Sequence, residues 1–232
     1  MSLAVMALSG GMDSCVAAAI AKRDGFDLCL LHASYGQLTE ARERLAFQQI
    51  ADYYEVPPKR RLVVPMQALK MIGGSSLTDA TVQMEHGNLD KAEVPSTYVP
   101  FRNAHLLAAC VSWAETIGAA NIFVGFVEAD SSGYPDCSAE FLKAFEAAAN
   151  SGTKRSTSIK IHAPLIDKTK AEIVKIGMSI GAPLRLTWSC YKSETRACGV
   201  CDSCLLRLRG FSQAGISDPI EYVQDDGPDA IL

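Results

Sequence analysis

Three short stretches of this chain bring together residue types that do chemistry. The first is Leu8-Ser9-Gly10-Gly11-Met12-Asp13-Ser14. Its two glycines let the backbone approach an anion with no Cβ in the way, its two serine hydroxyls offer donors, and amides at a following helix start would point at the same anion. Such a bend is a cradle for pyrophosphate. It is not a Walker A loop, because no Lys-Ser/Thr pair follows at the needed spacing, and it is not the dinucleotide GxGxxG. A carboxylate here is repelled by phosphate unless it binds Mg²⁺ or caps the helix, and both roles are open to Asp13. The second stretch is Cys190-x7-Cys198-x2-Cys201-x2-Cys204. Four soft ligands on short turns can close around one tetrahedral ion, and a shell of four thiolates leaves no position for an activated water, so the ion is structural. An iron–sulfur cluster takes the same number of ligands.

The third stretch, residues 125–137, carries Glu128, Asp130 and Asp136 with Tyr134 on a turn set by Gly133 and Pro135. One carboxylate accepts the adjacent N–H groups of a guanine-like edge as a pair, while an aromatic ring stacks on the ring face. The plain alternative is a polar turn that caps the helix beginning at Ser138. Two cations stand apart from these stretches. Arg102, after a proline-containing segment, offers a planar fork for phosphate or carboxylate. Lys170 falls in the first turn of a helix, against the positive end of the dipole, where it is favourable only if an anion lies nearby.

The elements that must position these groups alternate. Residues 3–8 are apolar throughout, as in a parallel strand covered on both faces, and the glycine bend leads into a helix over 15–23 and a second buried strand over 26–33. A helix over 39–54, a strand over 61–64, a helix over 103–117 that Asn103 can cap, and a strand over 121–127 continue the pattern. Helices over 138–149 and 170–180 follow, the latter opened by a capping box of Thr169 and Glu172. Strand-helix alternation predicts an α/β fold, doubly wound around a mostly parallel sheet, Rossmann-like, with its ligands at the carboxyl ends of the strands. The domains expected are an α/β domain over 1–187, a small cysteine lobe over 188–215 and a loosely held acidic tail over 216–232. Residues 66–100 have poor periodicity and read as a long functional or mobile loop.

Composition narrows the classes. With 48% apolar and 21% charged residues over 232, the chain is neither disordered nor fibrous. A net charge of −4 gives no general pull toward polyanions, so a small substrate is expected and direct nucleic-acid binding is not. The opening residues lack a basic segment and the apolar run is short for a secretion signal or a membrane span, so a cytoplasmic protein with reduced thiols is expected.

The bend SGGxDS after a first strand resembles the signature of the PP-loop ATP pyrophosphatases, which cleave ATP between the α- and β-phosphates and adenylate an acyl or amide oxygen. Within that group, Tyr35-Gly36-Gln37, Val99-Pro100-Phe101-Arg102-Asn103, residues 125–137 and the cysteine cluster resemble the 7-cyano-7-deazaguanine synthase family, in that family's order. Met12 stands where the family commonly has Gln; facing away from the phosphates, it is a neutral change. The resemblance implies a ligase that joins ammonia to 7-carboxy-7-deazaguanine through an adenylate, with ATP and Mg²⁺ as co-substrate, one structural Zn²⁺ per subunit and a homodimer. It implies ATP contacts from residues 8–14, catalytic roles for Asp13, Arg102 and Lys170, and ring recognition by Glu128, Asp130, Tyr134 and Asp136. Tyr35-Gly36-Gln37 would line the adenosine side or the ammonia path. The alternative is a tRNA-thiolating PP-loop enzyme, which needs a sulfur-carrying cysteine and a basic face; Lys192, Arg196, Arg207 and Arg209 supply the candidates for that face.

Overall fold

A computed structural model of the chain describes residues 2–79, 81–84, 87, 89, 93–129 and 133–223. Five parallel strands, β1 (Leu3–Ala7), β2 (Asp27–Ser34), β3 (Arg61–Pro65), β4 (Asn121–Phe123) and β5 (Lys160–His162), lie in the order β3-β2-β1-β4-β5. Side chains alternate across the sheet as the pleat requires. Ala4, Met6, Leu28 and Leu30 join a core built with α1 (Met12–Arg23), α2 (Glu40–Tyr53) and α6 (Lys170–Ser179). Val5, Ala7, Cys29 and Leu31 face the other way, into a core shared with α4 (Arg102–Ile117) and α5 (Ala139–Gly152). Both faces are covered, so the strands read as continuous apolar runs, and the doubly wound α/β expectation holds. No helix among the described residues is long and apolar enough to cross a membrane.

Two elements were not legible. β5 is a three-residue edge strand whose single buried position, Ile161, gives no period to read. α7 (Asp202–Ala214) begins directly at Cys201, so metal-ligand spacing masked a helix start. Residues 66–100 are more structured than expected of a loop. They contain α3 (Gln67–Ile72), and Leu69, Leu77 and Val99 pack with Tyr35 in a small apolar cluster.

The acidic tail, expected to be loose from 216 onward, is held to Val223. Arg207 of α7 is buried and forks onto Asp218, with Nε donating to Oδ2 at 2.7 Å and Nη2 to Oδ1 at 2.9 Å; Tyr222 Oη adds a donor to Oδ2 at 2.7 Å. Ala197 then holds the same segment through its backbone, donating to Glu221 O (2.9 Å) and accepting from Val223 N–H (2.9 Å). The physical reason is that a buried guanidinium demands a carboxylate, and the tail supplies it. Removing one partner strands the other charge, so Asp218→Ala lowers unfolding free energy by about 3–5 kcal/mol in equilibrium denaturation. Asp225, Asp226 and Asp229 lie outside the described residues.

Candidate active site at the switch point of the sheet

The strand order turns back between β1 and β4, which opens a crevice at their carboxyl ends. The glycine bend lies there. Leu8 still donates to Leu31 O (2.8 Å) along the strand, and Gly10 then takes φ +91°, a conformation open to glycine at little cost. A Cβ at Gly10 would also stand 2.7 Å from the Glu43 carbonyl oxygen. Gly10→Ala therefore destabilises the fold by at least about 1–3 kcal/mol, measured by denaturant unfolding.

Hydroxyls brace the bend: Gly11 N–H donates to Ser9 Oγ (3.1 Å), Ser14 Oγ donates to Gly11 O (3.0 Å), and the two hydroxyls are 3.0 Å apart. α1 starts at Met12, three residues earlier than the sequence suggested, with Gly11 as its N-cap. The amides of Met12, Asp13 and Ser14 thus fall in a first turn, where no carbonyl lies four residues back to accept them. The Met12 side chain packs into the core. Gly125, just beyond β4, closes the crevice from the other side, where a Cβ would lie 2.5 Å from Ser14 N.

Asp13 does not cap α1. Its Oδ2 accepts from Lys170 Nζ at 2.7 Å, so the anion that a lysine at a helix start requires is Asp13 itself. The capping box of Thr169 and Glu172 that begins α6 is present and fixes the start of the helix, hence the lysine. Asp13 Oδ1 is buried and has no hydrogen-bond partner among the described residues. An orphaned carboxylate oxygen beside a cluster of amides suits a hard cation carrying phosphate, which is the Mg²⁺ alternative left open for this residue.

The far wall corrects part of the sequence reading. Arg102, as expected, lines the cavity, but it reaches aromatic groups: Nη1 donates to Tyr35 Oη (2.9 Å), and its guanidinium lies 5.5 and 5.8 Å from the Tyr35 and Tyr134 ring centroids. Asn103 does not cap α4. Phe101 does, at φ 56°, and Asn103 is instead held by Asp136, whose Oδ2 accepts its backbone N–H (2.9 Å) and whose Oδ1 accepts its side-chain amide (3.1 Å). Asp136 is buried in that duty. Glu128 is exposed and accepts the Ala139 N–H at the start of α5 (2.9 Å), as in the plain reading of this stretch as a capping turn. Of the four residues expected to hold a ring, Tyr134 lines the cavity, Glu128 and Asp136 do not, and Asp130 lies outside the described residues.

Two wall residues were missed. His32, at the end of β2, lies against Leu8 O through Nδ1 (3.1 Å), and burial holds its pKa below the ordinary imidazole value. The ring is therefore neutral, Nδ1 carries the proton that the carbonyl accepts, and the buried Nε2 is left as an unpaired acceptor. Glu43 was legible in principle: it falls on the stripe of α2 that continues as Ala46, Phe47 and Ile50, where an apolar residue belongs.

The roof comes from the cysteine lobe. Trp188, Ser189, Tyr191, Ser203 and Leu206 line the cavity, and Trp188 N–H donates to Gly10 O (2.8 Å). Beyond them the four ligand sulfurs of Cys190, Cys198, Cys201 and Cys204 all lie within 4.8 Å of one another, with 3.9 Å between Cys198 and Cys204. Four sulfurs at ~2.3 Å from one tetrahedral ion stand ~3.8 Å apart, so a modest contraction of the cluster would close a four-thiolate shell. Backbone N–H groups of Lys192 (3.4 Å) and Cys198 (3.3 Å) point at Cys190 Sγ, as outer-shell donors to a thiolate do. Elsewhere, burial pushes the thiols of Cys15, Cys110 and Cys137 up to about 12, which leaves them protonated and poor sulfur carriers. The basic face is also thinner than its sequence, since Arg207 is buried and Arg196 faces Glu221 at 3.5 Å.

Residues 3–215 match the family described as queuosine biosynthesis protein QueC. This chain belongs to the QueC family. The 7-cyano-7-deazaguanine synthase of Chloroherpeton thalassium is 54% identical across 94% of this chain and 96% of that protein, and the synthase of Campylobacter curvus is 48% identical across 96% and 98%. QueC members are thus enzymes of queuosine biosynthesis by name. Among solved structures, a 4-thiouridine synthetase–RNA complex with bound ATP superposes with a TM-score of 0.50 at 20% identity, over 78% of this chain and 41% of that one. That likeness is one of fold alone.

Proposed function

We propose that the chain is an ATP-dependent carbon–nitrogen ligase that converts 7-carboxy-7-deazaguanine and ammonia to 7-cyano-7-deazaguanine. The observation that carries it is the glycine bend at the switch point with the Asp13–Lys170 pair beside it, one Asp13 oxygen buried and unpaired. A carboxylate resists ammonia because its leaving group is oxide. Attack of the carboxylate oxygen on the α-phosphorus expels pyrophosphate and leaves a mixed anhydride; ammonia then displaces AMP to give the amide. A second ATP activates the amide oxygen in the same way, and loss of AMP with the amide protons yields the nitrile.

The amides of residues 12–14 hold the departing pyrophosphate at the dipole's positive end, and Lys170 adds a cation that Asp13 orients. Ser9, Gly10, Gly11 and Leu8 shape that seat, and Mg²⁺, held by Asp13, would supply charge neutralisation for the same oxygens. Arg102 and Tyr134 face the acceptor. Zinc on the four cysteines is structural and joins a lobe over 188–215 to the α/β domain over 1–187. Reduced thiols for that ion fit a cytoplasmic setting. The thiolation alternative is disfavoured by the protonated thiols and by the burial of Arg207.

Incubation with ATP, Mg²⁺, ammonium and 7-carboxy-7-deazaguanine yields AMP and a nitrile by mass spectrometry. AMP that fails to depend on the acid removes the ligase reading, and dependence on tRNA instead promotes the alternative.

A further inference from the structure

With Asp136 and Glu128 occupied elsewhere, the described carboxylates that line the cavity are Asp13 and Glu43. Asp13 is committed to Lys170 at the bend. Glu43 has a different setting. It interrupts the apolar stripe of α2, and its backbone abuts Gly10. Its carboxyl is held at both oxygens: Gln37 Nε2 donates to Oε2 (3.0 Å) and Thr39 Oγ1 donates to Oε1 (2.8 Å). The orientation of Gln37 is itself fixed, because Gln37 Oε1 accepts the Tyr35 N–H (3.0 Å), which turns the amide nitrogen toward Glu43. Both holders are buried. The Tyr35-Gly36-Gln37 motif therefore serves to present one carboxylate to the cavity.

Burial pushes the Glu43 carboxyl up, and the Gln37 and Thr39 donors and the nearby Arg102 work against that push in favour of the ionised form. Each Glu43 oxygen accepts one of these bonds and keeps a second lone pair. A carboxylate with two parallel acceptor positions matches a pair of adjacent N–H donors better than a single point cation. The neighbouring groups are planar: the Tyr35 and Tyr134 rings, with the Arg102 guanidinium between 5 and 6 Å from each. Flat groups of this kind stack on a flat ring.

We infer that Glu43 reads the N–H edge of the substrate's heterocycle, accepting the ring N–H and the exocyclic amine as a pair, with Gln37 and Thr39 as positioning residues. This rests on the reading of the substrate as a deazaguanine acid, and it moves ring recognition from the 125–137 stretch, Tyr134 apart, to α2. Rings without the exocyclic amine leave one acceptor position of this buried carboxylate unfilled and bind more weakly.

Calorimetric titration of the zinc-loaded protein with 7-carboxy-7-deazaguanine and with its analogue lacking the 2-amino group tests this without recourse to turnover. The wild type is expected to prefer the aminated ring by ~100-fold, and Glu43→Gln to bring the two rings within ~10-fold of each other while circular dichroism and zinc content stay as in the wild type. Equal binding of the two rings to the wild type overturns the assignment whatever the variant does, and so does a Glu43→Gln protein that keeps the full preference. Discrimination that depends on Glu43 in a protein that forms no AMP would instead retain the assignment and remove the ligase reading.

Discussion

A Cys201→Ser variant loses its metal and its turnover together. Cys201 is both a ligand and the N-cap residue of α7, so the substitution opens the thiolate shell at the root of the helix that carries Ser203 and Leu206 into the cavity. Structural zinc contributes on the order of 10–16 kcal/mol in small metal-folded peptides, comparable to the whole stability of a typical domain, so even a fraction of that holds the lobe closed. Without it, Trp188 no longer has a fixed place from which to bond Gly10 O, and the roof leaves the bend. The expected result is metal content near zero, a lower midpoint of thermal unfolding, and AMP formation reduced by ~100-fold or more, a loss on the scale of one missing transition-state donor. A metal-free variant as stable and active as the parent would contradict a structural ion.

Asp13→Asn separates chemistry from fold. The amide keeps the shape of the carboxylate but loses its charge, so it neither forms an ion pair with Lys170 nor offers a hard anionic oxygen to a cation. Turnover should fall by ~100- to 1,000-fold, the cost of removing one preorganised charge from the reacting oxygens. Stability should change less than in Asp218→Ala, because an asparagine oxygen can still accept from the buried Lys170 Nζ whereas alanine offers the buried Arg207 nothing. Steady-state AMP formation and denaturant midpoints, measured on the same preparations, check both halves. Undiminished turnover would mean that the bend does not hold the phosphates that react.

Much of this was legible in the residues. Two glycines before a helix start at the end of an all-apolar strand locate the bend at the switch point, and four cysteines within fifteen positions locate one cluster, so both could be read without knowing any contact. The partners of individual side chains could not. Lys170 and Asp13 are 157 positions apart, and Asp136 reaches Asn103 across 33. Such pairings follow from strand order, which no local pattern encodes. The acidic residues of 125–137 looked equivalent in sequence; the fold spends Glu128 and Asp136 on helix starts and hides neither choice in composition. Glu43 carried the opposite signal, a charge in an apolar stripe, and that signal is visible only once the stripe is drawn.

The central position of β1 has a consequence for how the molecule breathes. Hydrogen-bonded on both edges and covered on both faces, its amides should take up deuterium only when the whole sheet opens. The roof is attached to this floor by the ion, by α7 against α6 and by a few bonds such as that from Trp188 to Gly10, a smaller set of restraints than those on the strand. Labelling should therefore reach the peptides around Trp188–Tyr191 long before those of Leu3–Ala7.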